Sequence, residues 1–424
     1  MREALGNWKK QRLNQVKWRP CATPPSNATS PSPMSPHPEL PTLAIFCKVV
    51  DNYGDIGICW RLARQLRHEH GVDVTLWVDD LASYRRICPD VDPAAGSQQV
   101  QGVTVRHWSG QDGAFTPGEI ADIVIEFFGC DLPPAYVEAM AARMPRPVWL
   151  NYEGLTAEDW VEGCHRLPSM HPRLRLTKHF YFPGFNERTG GLLHEAGLDE
   201  RRRAFQADPA AVAAFLARFG VTAPEATARK VSLFCYPEAP VAALLQVWAQ
   251  GAEPVLCLEP EGVARAQVET FIGAAALAGA SASRGALTVR VLPFVPQPDY
   301  DCLLWACDLN FVRGEDSWVR AQWAGRPFIW HIYPQDEQLH HKKLRAFLAH
   351  YASALPALSN FMLGWNDALA TPDWGLAWQA LLNEIPQDMA RAEEWQGQVL
   401  ANGDLVTKLL DFARELGQAG EIRV

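Results

Sequence analysis

The sequence predicts an α/β chain: two successive Rossmann-like units of sheet and helix, closed by a terminal helix. Three observations predict it. From Thr42 onward, strand-like apolar runs alternate with helix-like segments, the pattern of a parallel sheet covered on both faces. The alternation breaks from His165 to about Ala228 and then begins again. At 424 residues the chain exceeds one ordinary core, so two domains are the natural division.

The segments follow in order. Residues 1–41 precede the pattern, and Thr23 to Pro41 is dense in Pro and Ser without periodicity, which predicts a disordered leader. No apolar stretch follows its basic start, so it does not read as a signal peptide; a translation start placed too far upstream is one explanation. The first unit, 42–190, has strand candidates Leu43–Val49, Val72–Val78, Val103–His107, Ile123–Phe127 and Val148–Asn151, with helices such as Ile58–Arg67 and Ala135–Arg143 between them. Residues 191–228 read as a linker bearing one helical stretch, Ala210–Phe219. The second unit, 229–403, offers strands at Val231–Cys235, Pro254–Leu258, Leu287–Pro293, Asp308–Val312 and Pro327–Ile332. In the tail, 404–424, Leu405, Leu409, Phe412, Ala413 and Leu416 recur at helical spacing.

Composition narrows the function. The 48% apolar fraction fits well-buried globular domains. A net charge of -9 argues against nucleic acid as the main partner, since phosphate backbones call for a basic surface. The ten cysteines are scattered without a C-x-x-C pair, and Cys47, Cys59, Cys130, Cys235, Cys257 and Cys307 sit in apolar surroundings. Reduced, buried thiols in a cytoplasmic protein are expected, and no zinc site. No apolar run reaches the roughly 20 residues that cross a bilayer, so no membrane partner is expected.

Four constellations can carry chemistry. Asp51-Asn52-Tyr53-Gly54-Asp55-Ile56-Gly57 joins the first strand to its helix, and ligands in open α/β sheets bind at such strand ends. Its glycines allow close ligand approach, and Asp51 and Asp55 are candidates for general-base work or hydroxyl binding. Capping by Asp55 and a turn role for Asp51 stay open. Phe311-Val312-Arg313-Gly314-Glu315-Asp316-Ser317 ends a strand, turns and opens a helix near Ser317. Its free N–H groups and Arg313 suit a diphosphate, Glu315 and Asp316 suit sugar or ribose hydroxyls, and a well-capped helix is the alternative. Phe294 and Gln297, in a proline-stiffened loop, could stack on and hydrogen-bond a base; Phe294 could equally be core. His331 precedes the strand-end loop Ile332-Tyr333-Pro334-Gln335 and reads as structural, while His340-His341 is expected on a solvated helix.

Together these segments, with Cys59-Trp60-Arg61-Leu62-Ala63-Arg64-Gln65-Leu66, Arg320-Ala321-Gln322-Trp323-Ala324-Gly325 and Trp330-His331-Ile332-Tyr333-Pro334-Gln335, resemble the bacterial protein-arginine rhamnosyltransferases that modify translation elongation factor P. The resemblance runs from about Thr42 to the C-terminus, and the Pro/Ser-rich leader lies outside it. It implies a GT-B fold of two facing Rossmann-like domains, the terminal helix crossing back to the first. It implies dTDP-rhamnose as donor, no metal or other cofactor, elongation factor P as the protein partner, and inversion at the anomeric carbon. By the same resemblance Asp55 is the general base, Asp51 a second essential carboxylate and Glu315 the acid of the donor site. Asn52, Tyr53, Gly54, Phe182, Phe185, Phe294, Gln297, Arg313, Gly314, Asp316, Ser317 and Tyr333 are its donor-binding positions. Two rivals stand beside this reading: another GT-B enzyme with a lipid or glycan acceptor, and a non-catalytic binding protein.

Overall fold

Leu43-Ala44-Ile45-Phe46 and Ile123-Val124-Ile125 are unbroken apolar runs, so these segments bury both faces and form the middle of a sheet rather than its edge. The computed structural model describes residues 41–421, apart from 52, 111 and 112. The expected leader therefore lies outside the described residues, except for Pro41, as does Asn52. The first sheet has eight strands: β1 (Thr42–Cys47), β2 (Asp73–Val78), β3 (Ser97–Val100), β4 (Val103–His107), β5 (Ile123–Phe127), β6 (Val148–Tyr152), β7 (Pro168–Met170) and β8 (Thr177–Tyr181). Their order is β3-β4-β2-β1-β5-β6-β8-β7. β4, β2, β1, β5, β6 and β8 are parallel, and β3 and β7 pair antiparallel at the two edges.

The second sheet has six strands: β9 (Arg229–Leu233), β10 (Val255–Pro260), β11 (Ser281–Arg284), β12 (Leu287–Leu292), β13 (Leu309–Arg313) and β14 (Phe328–His331). The order is β11-β12-β10-β9-β13-β14, parallel except for the edge strand β11. In both sheets the first strand of the unit, β1 or β9, sits centrally with the chain winding away on either side. That reversal leaves a crevice at the strand's carboxyl end, where open α/β sheets bind ligands.

The strands missing from the sequence reading are short and mostly at edges. Ser97-Gln98-Gln99-Val100, Pro168-Ser169-Met170 and Ser281-Ala282-Ser283-Arg284 are polar or proline-led; an edge strand buries too little to impose an apolar pattern. The 191–228 stretch is more than a linker. Its helices Leu198–Gln206 and Pro209–Ala217 bury Leu198, Phe205, Phe215 and Leu216 in the core of the second sheet.

The terminal helix Leu405–Glu421 returns to the first unit. Leu405, Val406, Leu409, Leu410, Phe412 and Ala413 pack in the same core as the strands β1, β2 and β5. The Tyr181 hydroxyl donates to the Leu405 carbonyl at 3.3 Å. The chain thus crosses between the two units twice. Among the described residues, no helix is long and apolar enough to cross a membrane.

Candidate active site

The site grows from the two central strands. After β1 the chain turns, with the Gly54 N–H donating to the Asp51 carbonyl at 2.7 Å, and the helix Gly54–His70 begins. Tyr53 holds the cap position without a side-chain cap. Asp55 does not cap this helix. Its Oδ2 reaches back to accept the N–H groups of Val50 (2.7 Å) and Asp51 (2.9 Å), which fixes the loop on its own first turn. Asp55 is only 6% exposed, and no hydrogen bond among the described residues reaches Oδ1. Burial raises its pKa above the ordinary carboxylate value, against the two backbone N–H bonds that lower it. Asp51 crosses to the other unit: its Oδ2 accepts the Tyr236 hydroxyl at 2.7 Å. Burial raises its pKa too, opposed by Tyr236 and Arg313.

The facing wall comes from β13 and the helix Asp316–Ala324. Gly314 lies in the left-handed region at φ +60°, and a Cβ there would sit 2.8 Å from both Asp51 Oδ2 and the Tyr236 hydroxyl. Only glycine allows this close approach of the two units. The Arg313 guanidinium donates to the Cys235 carbonyl at 3.0 Å and lies 4.2 Å from the Phe234 ring centroid. The Ser317 hydroxyl donates to the Arg313 carbonyl and accepts the Arg313 N–H at 2.9 Å, closing the turn. Glu315 holds the helix cap position but makes no side-chain cap, so first-turn N–H groups are left for an anion. Its Oε2 instead accepts the Leu155 N–H at 2.9 Å. Burial pushes Glu315 up to about 8, with Asp55 and Asp316 adding to the rise.

Two cavities open between these walls, sharing Asp51 and Gly54. The smaller, about 70 Å³, is lined by Tyr53, Phe234, Phe294, Gln297, Tyr300 and Arg313, with Asp316 and Ser317 at the helix start. The larger, about 510 Å³, is lined by Asp55, Phe128, Glu153, Glu315, Trp318 and Tyr333 among others. Trp318 stacks on Trp330 at 3.6 Å, and the Trp330 indole donates to the Gly314 carbonyl at 2.7 Å. Among the described residues no group of three or more His, Cys, Asp or Glu side chains is arranged to hold a metal ion.

Most of the expected residues converge here, and some carry unexpected contacts. Asp316 pairs with Arg61 of the first unit, Nε to Oδ1 at 2.9 Å. Gln297 donates to the Gly57 carbonyl at 2.9 Å. Phe294 packs edge-on to Tyr53 at 4.8 Å with Arg86 over its ring. These three therefore hold the units together as well as lining the smaller cavity. Phe182 and Phe185 line neither cavity. Phe182 is buried against Trp160, and Phe185 packs among Trp318, Phe347 and Trp395, so it reaches the site only through Trp318. The resemblance implied donor-binding positions for both, but here the rings fill clusters that brace the crossing segments. His331 is structural: it accepts the Tyr236 N–H at 3.2 Å, and burial holds it down at about 3. The helix bearing His340 is not solvated at that point; His340 is buried and accepts the Gln335 N–H.

The sequence reading missed Tyr236, Phe234, Arg61 and Glu153. Phe234 and Tyr236 were findable. They follow β9, the central strand of the second sheet, just as the Asp51 loop follows β1.

A family model described as Elongation-Factor P (EF-P) rhamnosyltransferase EarP matches residues 43–414. The chain belongs to the EarP family. A protein-arginine rhamnosyltransferase of Pseudomonas putida is 49% identical over 379 residues, covering 88% of this chain and 98% of the relative. One from Neisseria meningitidis is 37% identical over 384 residues, covering 87% and 96%. A solved structure, the structural basis for EarP-mediated arginine glycosylation of translation elongation factor EF-P, aligns with a TM-score of 0.62 at 38% identity, covering 88% of this chain and 99% of that one. The glycosyltransferase VinC in complex with dTDP aligns at a TM-score of 0.50 and 13% identity, over 89% of this chain and 100% of that one, a likeness of fold alone. This EarP-family chain has the GT-B architecture, two Rossmann-like domains facing one another, and it is a protein-arginine rhamnosyltransferase.

Proposed function

We propose that the donor of this rhamnosyltransferase is dTDP-rhamnose, that its acceptor is one arginine of translation elongation factor P, and that Asp55 is the general base. The observation that carries the acceptor side is the charge of the larger cavity. Asp51, Asp55, Asp131 and Glu153 line it against Lys48 and Lys343, beside a Glu315 that burial pushes up to about 8. Such a wall favours a cationic side chain over an anionic or neutral one. The smaller cavity complements it with aromatic rings, a guanidinium and the uncapped start of a helix, the requirements of a pyrimidine nucleoside diphosphate. In this reading the unit 42–190 serves the acceptor and 229–403 the nucleotide-sugar.

The chemistry then divides between the walls. A guanidinium is not a nucleophile while its lone pairs are delocalised. Asp55 Oδ1, on the acceptor side, orients one guanidinium nitrogen and takes its proton as the new N–C bond forms at the anomeric carbon. The C–O bond to the diphosphate breaks on the opposite face, which gives inversion. Burial makes Asp55 a stronger base than a free carboxylate. Arg313 and the first-turn N–H groups of the helix Asp316–Ala324 stabilise the departing charge. Asp51, clasped by Tyr236, holds the loop against Gly314 at the junction of the two cavities.

Glu315 lines the larger cavity at the cap of the helix whose first turn is read as the diphosphate site, and burial keeps it protonated. With its pKa near 8, it is largely an acid at pH 7 and donates a hydrogen bond. Transfer should therefore fall as pH rises through about 8, where Glu315 ionises at the helix start that stabilises the departing diphosphate. A pH–rate profile of the wild type and of Glu315→Gln checks this: the glutamine variant, which cannot ionise, should lack that alkaline limb. An identical limb in both would assign it to another group.

The functional reading is tested by incubating the protein with elongation factor P and dTDP-rhamnose, dTDP-glucose or UDP-glucose in parallel, and reading intact masses. A gain of one deoxyhexose with dTDP-rhamnose alone is expected. Transfer of a different sugar with equal rate, or no gain with dTDP-rhamnose, would sink the donor assignment.

A further inference from the structure

We infer that Glu153 is a positioning residue for the acceptor arginine, holding the guanidinium nitrogens that do not react while the Phe128 ring supports the guanidinium plane. The inference rests on the reading of the larger cavity as the acceptor site.

Glu153 lies one residue beyond β6, its own N–H donating to the Tyr181 carbonyl at 2.9 Å. Asn151, buried on the same strand, aims it. Asn151 Oδ1 accepts the Gly129 N–H at 3.0 Å, so its Nδ2 is directed to Glu153 Oε1, at 2.6 Å. No hydrogen bond among the described residues reaches Glu153 Oε2, and the residue lines the cavity. Burial raises its pKa above the ordinary carboxylate value, opposed by the Asn151 hydrogen bond and by Lys178 and Lys343.

The same asparagine fixes the neighbouring turn. Phe128 sits in the left-handed region at φ +53°, followed by Gly129 at φ +61°. A bulky residue there is an outlier, and such strain persists only where the surroundings over-determine it. The Phe128 N–H donates to the Tyr152 carbonyl at 2.7 Å, which holds the turn. The result is an aromatic ring on the cavity wall, close to a carboxylate with a free oxygen. Asp55, buried at the carboxyl end of β1 in the same sheet, lines the same cavity and offers its own unbonded Oδ1.

A guanidinium is planar, with donors along more than one edge and a face that stacks on aromatics. One carboxylate, Asp55, accepts from the reacting nitrogen. A second is needed to keep the plane from rotating, and Glu153 has the geometry for it. Glu153→Gln tests this cleanly, because the glutamine carbonyl still accepts from Asn151 and the brace is retained. Only the charge-assisted contact is lost, which for one such contact lowers affinity about 10- to 100-fold.

The experiment uses the full chain with dTDP-rhamnose and elongation factor P, varying each substrate in turn. It also follows the slow hydrolysis of dTDP-rhamnose without acceptor. For Glu153→Gln we expect the acceptor KM to rise about 10- to 100-fold, with donor KM and hydrolysis as in the wild type. Phe128→Leu should raise the acceptor KM by a smaller factor, again sparing hydrolysis. An unchanged acceptor KM in Glu153→Gln overturns the inference and leaves the acceptor reading standing. A parallel loss of donor KM and hydrolysis overturns it too, by placing Glu153 in the donor site or the fold. A wild type that hydrolyses the donor yet never modifies elongation factor P overturns the acceptor reading and this inference together.

Discussion

Asp55→Asn should abolish rhamnose transfer, lowering kcat by about 10²- to 10⁴-fold, the range for loss of a positioned general base, while dTDP-rhamnose binds as before. The structure separates the two functions of this side chain. Oδ2 holds the loop through the N–H groups of Val50 and Asp51. An asparagine carbonyl accepts those same bonds, so the loop survives the substitution. What asparagine cannot do is take a proton at the second position, where Oδ1 now stands. Asp55 also stays off the smaller cavity, which is why donor affinity should be spared. Calorimetric titration of dTDP-rhamnose and acceptor mass after incubation check the two halves. Near-normal modification of the acceptor would remove Asp55 from the role of base. Loss of donor binding would recast it as a loop-ordering residue.

Arg61→Met should be the most destabilising single change near the site. Arg61 is 2% exposed and joins the two domains. It donates from Nη2 to Asp301 at 3.0 Å, from Nε to Asp316 at 2.9 Å, and from Nη1 to Glu195 at 3.4 Å. Arg320 completes the cluster, reaching Asp301 at 2.8 Å and Glu195 at 2.6 Å. These contacts hold the Glu195 carboxylate well below its ordinary range. Removing Arg61 leaves three buried carboxylates, with Arg320 as the remaining direct ion-pair partner of Asp301 and Glu195 and with Arg64 nearby. Breaking a buried pair in this way costs about 3–5 kcal/mol, read as a fall in the thermal midpoint. Arg61→Lys should recover only part of it, because an ammonium cannot reproduce the fork to Asp301. An Arg61→Met protein that melts with the wild type would show that the cluster contributes nothing to the contact between the domains.

The fold was legible wherever burial imposed a pattern. The central strands β1, β5 and β10 are almost wholly apolar and buried, and they stood out in the sequence. β3, β7 and β11 did not, because one side of each faces solvent and their residues are free to be polar. The site was legible where a loop follows a central strand and carries charge, hence Asp51, Asp55, Arg313 and Glu315. It was illegible where a residue's importance comes from the other domain. Arg61 looks like one more basic residue on an amphipathic helix until Asp301 and Asp316 are placed beside it, 240 and 255 positions away in the chain. Glu153 is hidden differently: its place on the cavity wall comes from Asn151 and the turn at Phe128, which the strand pattern does not reveal. Phe182 and Phe185, donor-binding positions by resemblance alone, pack into aromatic clusters off both cavities.

An arginine acceptor held in the acidic cavity is tested most directly on the modified acceptor itself. Elongation factor P, modified by the wild type with dTDP-rhamnose, is digested and its peptides fragmented by electron transfer, which keeps the sugar attached. The account predicts one deoxyhexose on one arginine side chain, and none after incubation with Asp55→Asn. A deoxyhexose on a serine, threonine or lysine, or an equal yield from Asp55→Asn, would contradict it.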